Sequence, residues 1–366
     1  MTRANNAALR DASTPRLLFI DGLRGIAALV VAVGHAMGMV PPDHPSTPIW
    51  AAGLDQLLVW PWLFGRPMVW LFILLSGFAL YWSEESRRGA GKGPTKPMSY
   101  FKRRAWRILP VYYVALALGL LVVIGAGRLL LEPSASLNTF APITLDGLLA
   151  HLVLVHNIDP AWIYQVSPPL WSIAVEAQLY LLFPLFFVLR SKISVYGAVI
   201  ALVAAVWVAN QMLNFQFFSL IELFGLGALL AHVGRRWAAP RGVLLIVTVL
   251  CLLVALSRPT IPAKAEEMLW ALGFSALVLA LIRTPVSRWN PPSWRPLVWL
   301  GARSYSLYAL HFPVLLAGWA LVGRLGLPKE IETLIMATAG IAAAIGIAHL
   351  SYRWIEQPTM LRSRRA

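Results

Sequence analysis

Arg24 and His35 stand in a largely apolar run, residues 21–35, which opens on Asp21 and reads DGLRGIAALVVAVGH. On a helix their spacing of eleven residues brings them within about 20° of the same face. It also separates them by about 16 Å along the axis. A second polar group, Arg103, Arg104 and Arg107, falls within about one and a half turns of the segment FKRRAWRILP, residues 101–110. Such a cluster is a fork-like donor set suited to phosphates, and equally a charge cluster of the kind that orients a membrane helix. In PPLWSIAVEAQLY, residues 168–180, the double proline starts a helix whose Ser172, Glu176 and Tyr180 share one face. The fourth group is GARSYSLYALHFP, residues 301–313, with Tyr305, Tyr308 and His311.

A histidine beside an orienting carboxylate is a common device for taking a proton from a hydroxyl at neutral pH. Counting turns inward from Arg190 puts Glu176 about 21 Å deep, close to the expected height of His35. The pair His35 and Glu176 is therefore the expected base and orienting acid. Arginines below it suggest a long anionic donor entering from one side. Cys251 is the only cysteine, so no cysteine-cluster metal site can form, and the seven histidines lack ligand spacing. No metal and no tightly bound cofactor is expected.

The elements that must hold these groups are membrane helices. Hydrophobic residues make up 58% of the 366 and charged residues only 13%, about half the share usual in soluble domains. Apolar runs at 17–40, 67–82, 108–127, 169–189, 195–212, 219–233, 243–256, 267–282, 302–322 and 332–351 predict an all-α polytopic bundle of about ten transmembrane helices. A further stretch, residues 145–156, is too short to span and is read as a surface or re-entrant helix. With both termini in the cytoplasm, 25 of the 31 Lys and Arg residues fall on the cytoplasmic side. That bias accounts for most of the net charge of +15, so no nucleic-acid partner is needed to explain it. Residues 1–366 read as one membrane domain with a core over about 17–358 and no fused soluble domain. Ionisable groups inside such spans are costly and mark function by default. A transporter or flippase with a midplane His/Glu proton relay is the rival class, though no two-half repeat symmetry is visible. The oligomeric state is not readable.

At these residues the chain resembles the integral-membrane acyltransferase-3 family of bacterial O-acyltransferases. The family's Arg-x10-His marker is matched by Arg24 and His35, and its basic motif by RRAWRILP at 103–110. LWSIAVEAQLY at 170–180, SYSLYALH at 304–311 and YRWIEQP at 352–358 match three more of its motifs, in order. Position 177 is Ala where many members carry a second Glu, which leaves Glu176 as the carboxylate there. The resemblance implies transfer of an acyl group, usually acetyl, from cytoplasmic acyl-CoA to a hydroxyl. Acceptors in the family are cell-surface polysaccharide, lipopolysaccharide or related glycans, or small molecules. It also implies a multi-pass protein of the bacterial inner membrane. On that basis Arg24, Arg103, Arg104 and Arg107 are expected at the CoA phosphates, with His35 and Glu176 catalytic. Trp171, Ser172, Tyr180, Tyr308 and His311 are expected to position substrate or donate to an oxyanion. Segments 41–66 and 128–168, with Trp50, Trp60, Trp62 and Trp162, are candidates for a sugar-stacking surface.

Overall fold

A computed structural model of the chain describes residues 17–37, 60–129, 143–213, 218–237, 239–256, 262–282, 284 and 291–365. The described residues are helical, with no strand. In chain order the helices are α1 (Leu18–Met37), α2 (Trp60–Gly89), α3 (Pro97–Leu129), α4 (Leu145–Leu152), α5 (Leu170–Lys192), α6 (Val195–Leu213) and α7 (Ile221–Arg236). They continue as α8 (Arg241–Ala255), α9 (Ala263–Ile282), α10 (Arg295–Gly301), α11 (Ser304–Val322), α12 (Lys329–Ile335), α13 (Ile341–Ser351) and α14 (Gln357–Arg365). Two π-helical turns, Met336–Gly340 and Tyr352–Glu356, join the last three into one rod.

Eight helical segments among the described residues are long and apolar enough to cross a membrane: α1, α2, α3, α5, α6, α9, α11 and the terminal rod. Each expected apolar run forms a helix, but α7 and α8 have only 16 and 15 residues. At 1.5 Å per residue they reach about 24 Å or less, short of a hydrocarbon core of about 30 Å. Large apolar side chains stand exposed on the outer faces of α3, α6 and α8, among them Leu121, Ile200, Trp207, Ile246 and Leu250. A surface of that kind suits lipid rather than water.

Helix α1 is the hub, packed on α2, α10 and α11, while α11 also packs on α3 and α13. Helices α2 and α7 approach so closely that a Cβ on Gly77 would lie 2.0 Å from the Phe224 carbonyl oxygen. One on Gly227 would lie 2.0 Å from the Leu74 carbonyl oxygen. Small residues allow membrane helices this approach, and here it fixes the height of Ser76, the neighbour of Gly77.

The stretch 145–156, ambiguous from sequence, forms the eight-residue α4 followed by a short 3-10 turn at His156–Ile158. Thr144 caps α4 by accepting from the Gly147 amide, as N-cap hydroxyls do. The segment is tied to α3 and α5 rather than crossing the bilayer. Tyr112 donates to the His151 carbonyl, and Gln178 donates to the Leu154 carbonyl and to Asn157. His151 and His156 stack face to face at 3.7 Å, both without solvent exposure. Burial holds both imidazoles below the usual histidine range, His156 down to about 2, with the neighbouring ring adding to the effect. A base with a depressed folded pKa stays neutral while the unfolded chain takes up a proton below about pH 6.5. This stabilisation is therefore complete above about 6.5 and is lost as pH falls. At pH 5 the loss from His156 is roughly 2 kcal/mol. We expect a lower melting temperature at pH 5 than at 7.5, and a smaller difference in His156→Phe. An equal difference in the variant would show that other groups carry the effect.

Candidate functional site

The polar groups on α1, α2, α3, α5, α11 and the terminal rod face one another inside the bundle. They form two levels. At the lower level, Arg24 of α1 reaches Glu176 of α5, Nη2 to Oε1 3.5 Å, and donates to Ser76 Oγ of α2 at 3.1 Å. Ser76 Oγ donates in turn to Glu176 Oε1 at 2.5 Å, and the Tyr180 hydroxyl, one turn along α5, donates to the same oxygen. Glu176 and Tyr180 thus share a face as their spacing requires. Ser172, one turn earlier, pairs with the Tyr308 hydroxyl of α11 at 2.7 Å. Trp171 lies partly buried against the main apolar core.

The upper level lies three turns on along α1. His311 Nε2 of α11 is 3.1 Å from His35 Nδ1, with ring centroids 5.1 Å apart. His35 Nδ1 is also 3.0 Å from the Val31 carbonyl oxygen, and His311 Nδ1 is 2.8 Å from that of Tyr308. Carbonyl oxygens only accept, so this network assigns the proton to Nδ1 in each ring. His311 Nε2 then accepts from His35 Nδ1–H, and His35 Nε2 is the basic nitrogen. Phe312 closes one side, edge-on to His35 at 5.4 Å.

This corrects the expected pairing of His35 with Glu176. The carboxylate's partners are Arg24, Ser76 and Tyr180, at the level of Arg24 rather than of His35. The reason is electrostatic: in a low-dielectric interior a carboxylate takes the nearest cation, and the long arginine side chain can come to it. The place foreseen for a carboxylate is occupied by His311, an uncharged acceptor. Helical arithmetic along α5 alone could not reveal this, because relative tilt and height come from packing.

The basic cluster also divides. Arg104 lies over the rings of Tyr100 and Tyr180, at 5.8 and 5.5 Å, a cation–π seat. Arg103 sits toward the helix end among Arg87, Arg104 and Glu84. Arg107 turns inward, with Tyr180, Glu356, Glu176 and Asp21 as its charged or ionisable neighbours. It makes no hydrogen bond or ion pair among the described residues, and part of it stays accessible. A guanidinium so placed, near carboxylates yet open, is an anion-binding element in waiting.

Sequence reasoning missed Ser76, Ser306 and Glu356. Ser306 donates to Glu356 at 2.6 Å, and both are buried. A carboxylate within the YRWIEQP motif was the available signal. Of the proposed stacking surface, Trp50 and the side chains of Trp60 and Trp62 lie outside the described residues. Trp162 donates to Asp146 at 3.1 Å.

No solved structure matches the chain. Among curated proteins it is 27% identical to the acyltransferase MdmB of Streptomyces mycarofaciens, over 94% of this chain and 92% of that protein. It is 23% identical to the peptidoglycan O-acetyltransferase OatA of Listeria monocytogenes, over 93% of this chain and 55% of that protein. It is also 28% identical to the putative peptidoglycan O-acetyltransferase YrhL of Bacillus subtilis, over 52% of this chain and 34% of that protein. The family profile described as an acyltransferase domain, acyltransferase-3, matches residues 17–353, nearly the whole chain. With its apolar spans and buried polar levels accounted for, this multi-pass membrane protein belongs to the acyltransferase-3 family and is an acyltransferase.

Proposed function

We propose that the protein moves an acetyl group from cytoplasmic acetyl-CoA to a hydroxyl of a cell-surface glycan or related acceptor, in a bacterial inner membrane. The observation that carries the reading is the His35–His311 hydrogen bond set three turns along α1 from the Arg24 level. The distance between the levels is about 16 Å, a span that a pantetheine arm can bridge. CoA phosphates lie at Arg107 and Arg24, with Arg103 and Arg104 at the entrance. The thioester reaches His35.

There, His35 Nε2 takes the proton of the acceptor hydroxyl as its oxygen attacks the acyl carbon. The C–O bond forms, the C–S bond breaks, and the proton passes from His35 to the departing thiolate. His311 holds the imidazole in the tautomer this requires and accepts its Nδ1–H while positive charge develops. The Tyr308 and Ser172 hydroxyls stand near as candidate acceptor-positioning groups. Glu176 keeps Arg24 in place beneath. Two relatives named as peptidoglycan O-acetyltransferases support acetyl as the group and a saccharide hydroxyl as the acceptor.

Purified protein in detergent, titrated with acetyl-CoA, should gain thermal stability, and less with 3′-dephospho-CoA. Free CoA should then appear only when a saccharide acceptor is added. Absence of both stabilisation and CoA release would remove acyl-CoA as the donor.

A further inference from the structure

Glu356 is buried inside the helix bundle at 3% exposure, a placement a carboxylate does not take without cause. It closes the π-helical turn Tyr352–Glu356. Such turns insert one residue into a helix and recur at functional sites. Without the extra residue Glu356 would be rotated by about 100°, away from the face it now presents. In the observed register its Oε2 accepts from Ser306 Oγ at 2.6 Å, and Ser306 is itself 3.2 Å from Ser351 Oγ. Arg107 and Arg24 are both within electrostatic reach of the carboxylate.

The carboxylate nevertheless makes no ion pair with Arg107 among the described residues. A free carboxylate beside a desolvated guanidinium would be drawn onto it. The serine bridge and the π turn hold this one back. The result is a partly buried arginine whose charge is offset by Glu356 but whose donors stay open. An arginine lacking any counter-charge would be costly to bury, whereas one in a direct ion pair would have its donors occupied.

We infer that Glu356 is a positioning residue for Arg107, a held-off counter-charge that keeps the guanidinium turned inward and open while limiting how tightly the chamber grips an anion. The inference rests on the reading of Arg107 as a donor-phosphate group. It gives two variants opposite signs. Glu356→Gln removes the offsetting charge and should tighten binding of CoA several-fold, with slower turnover because product CoA leaves more slowly. Ser306→Ala keeps every charge but frees the carboxylate to close on Arg107, and should weaken CoA binding several-fold. A merely structural role would move both variants in the same direction, toward loss.

The experiment is calorimetric titration of CoA into purified wild-type protein, Glu356→Gln, Ser306→Ala, Arg107→Gln and the double variant Arg107→Gln/Glu356→Gln. Support is opposite shifts in the first two variants, together with no tightening by Glu356→Gln once Arg107 is gone. Unchanged or weakened binding in folded Glu356→Gln protein would overturn the inference, as would tightening that persists without Arg107. If Glu356→Gln does not fold, Ser306→Ala decides, and unchanged or tighter binding there overturns it. Arg107→Gln with wild-type affinity would instead remove the donor reading itself, and this role with it.

Discussion

Acyl transfer is expected to disappear in His35→Ala, with a loss of roughly 10²–10⁴-fold or more, the range for removing a general base. The protein should remain folded, because the ring is only partly buried and its replacement leaves no unpaired charge. His311→Ala should fall in the same range if His311 holds the tautomer, since His35 Nδ1–H then loses the acceptor 3.1 Å away. His311→Gln, which offers an amide oxygen to that N–H, should retain more activity than His311→Ala. Residues that act as a unit are strongly non-additive, so the double alanine variant should be little worse than His35→Ala. Measured turnover in single and double variants, each checked for an intact thermal transition, decides the matter. Substantial turnover in folded His35→Ala protein would eliminate the general-base role. Multiplicative losses would mean that the two histidines work on separate steps.

A second large effect is expected at Arg107. Its neutralisation to glutamine should raise the donor dissociation constant roughly ten- to hundredfold, since a hydrogen bond to a charged group is worth about 1.5–3 kcal/mol. Arg103→Gln should cost much less, because that side chain sits toward the helix end among other charges where water screens it. Calorimetry with CoA tests the contrast directly. Equal small losses at both positions would reduce the cluster to a topological signal. Arg24→Gln is a poorer probe, because it takes the counter-charge from the partly buried Glu176 carboxylate. Breaking a fully buried pair costs about 3–5 kcal/mol of stability, and this partly exposed one costs less because Ser76 and Tyr180 still donate to the carboxylate. Its paired variant, Arg24→Gln/Glu176→Gln, separates binding from folding.

These contrasts mark where sequence and tertiary structure divide. Periodicity of 3.6 residues is local, so the shared face of Ser172, Glu176 and Tyr180 was legible from spacing, and each expected apolar run forms a helix. The share of charged residues is a whole-chain quantity, and it excluded a soluble enzyme without any coordinates. Individual polar groups in apolar runs stood out for the same reason, because the bilayer penalises each one wherever it lies. Partnership is a different matter. Helix α5 could bring Glu176 to His35 or to Arg24, and only its height against α1 and α2, set by side-chain packing, gave it to Arg24. His311 and His35 are 276 residues apart, and no spacing rule links them. Three neighbouring arginines in one motif received three environments because they point different ways from α3. Glu356 faces inward because a π turn changes the phase of the terminal rod, a shift that an α-helical count cannot contain. Residue type and period determined which groups carry chemistry. Relative helix height and phase, fixed by close packing, decided which of them meet.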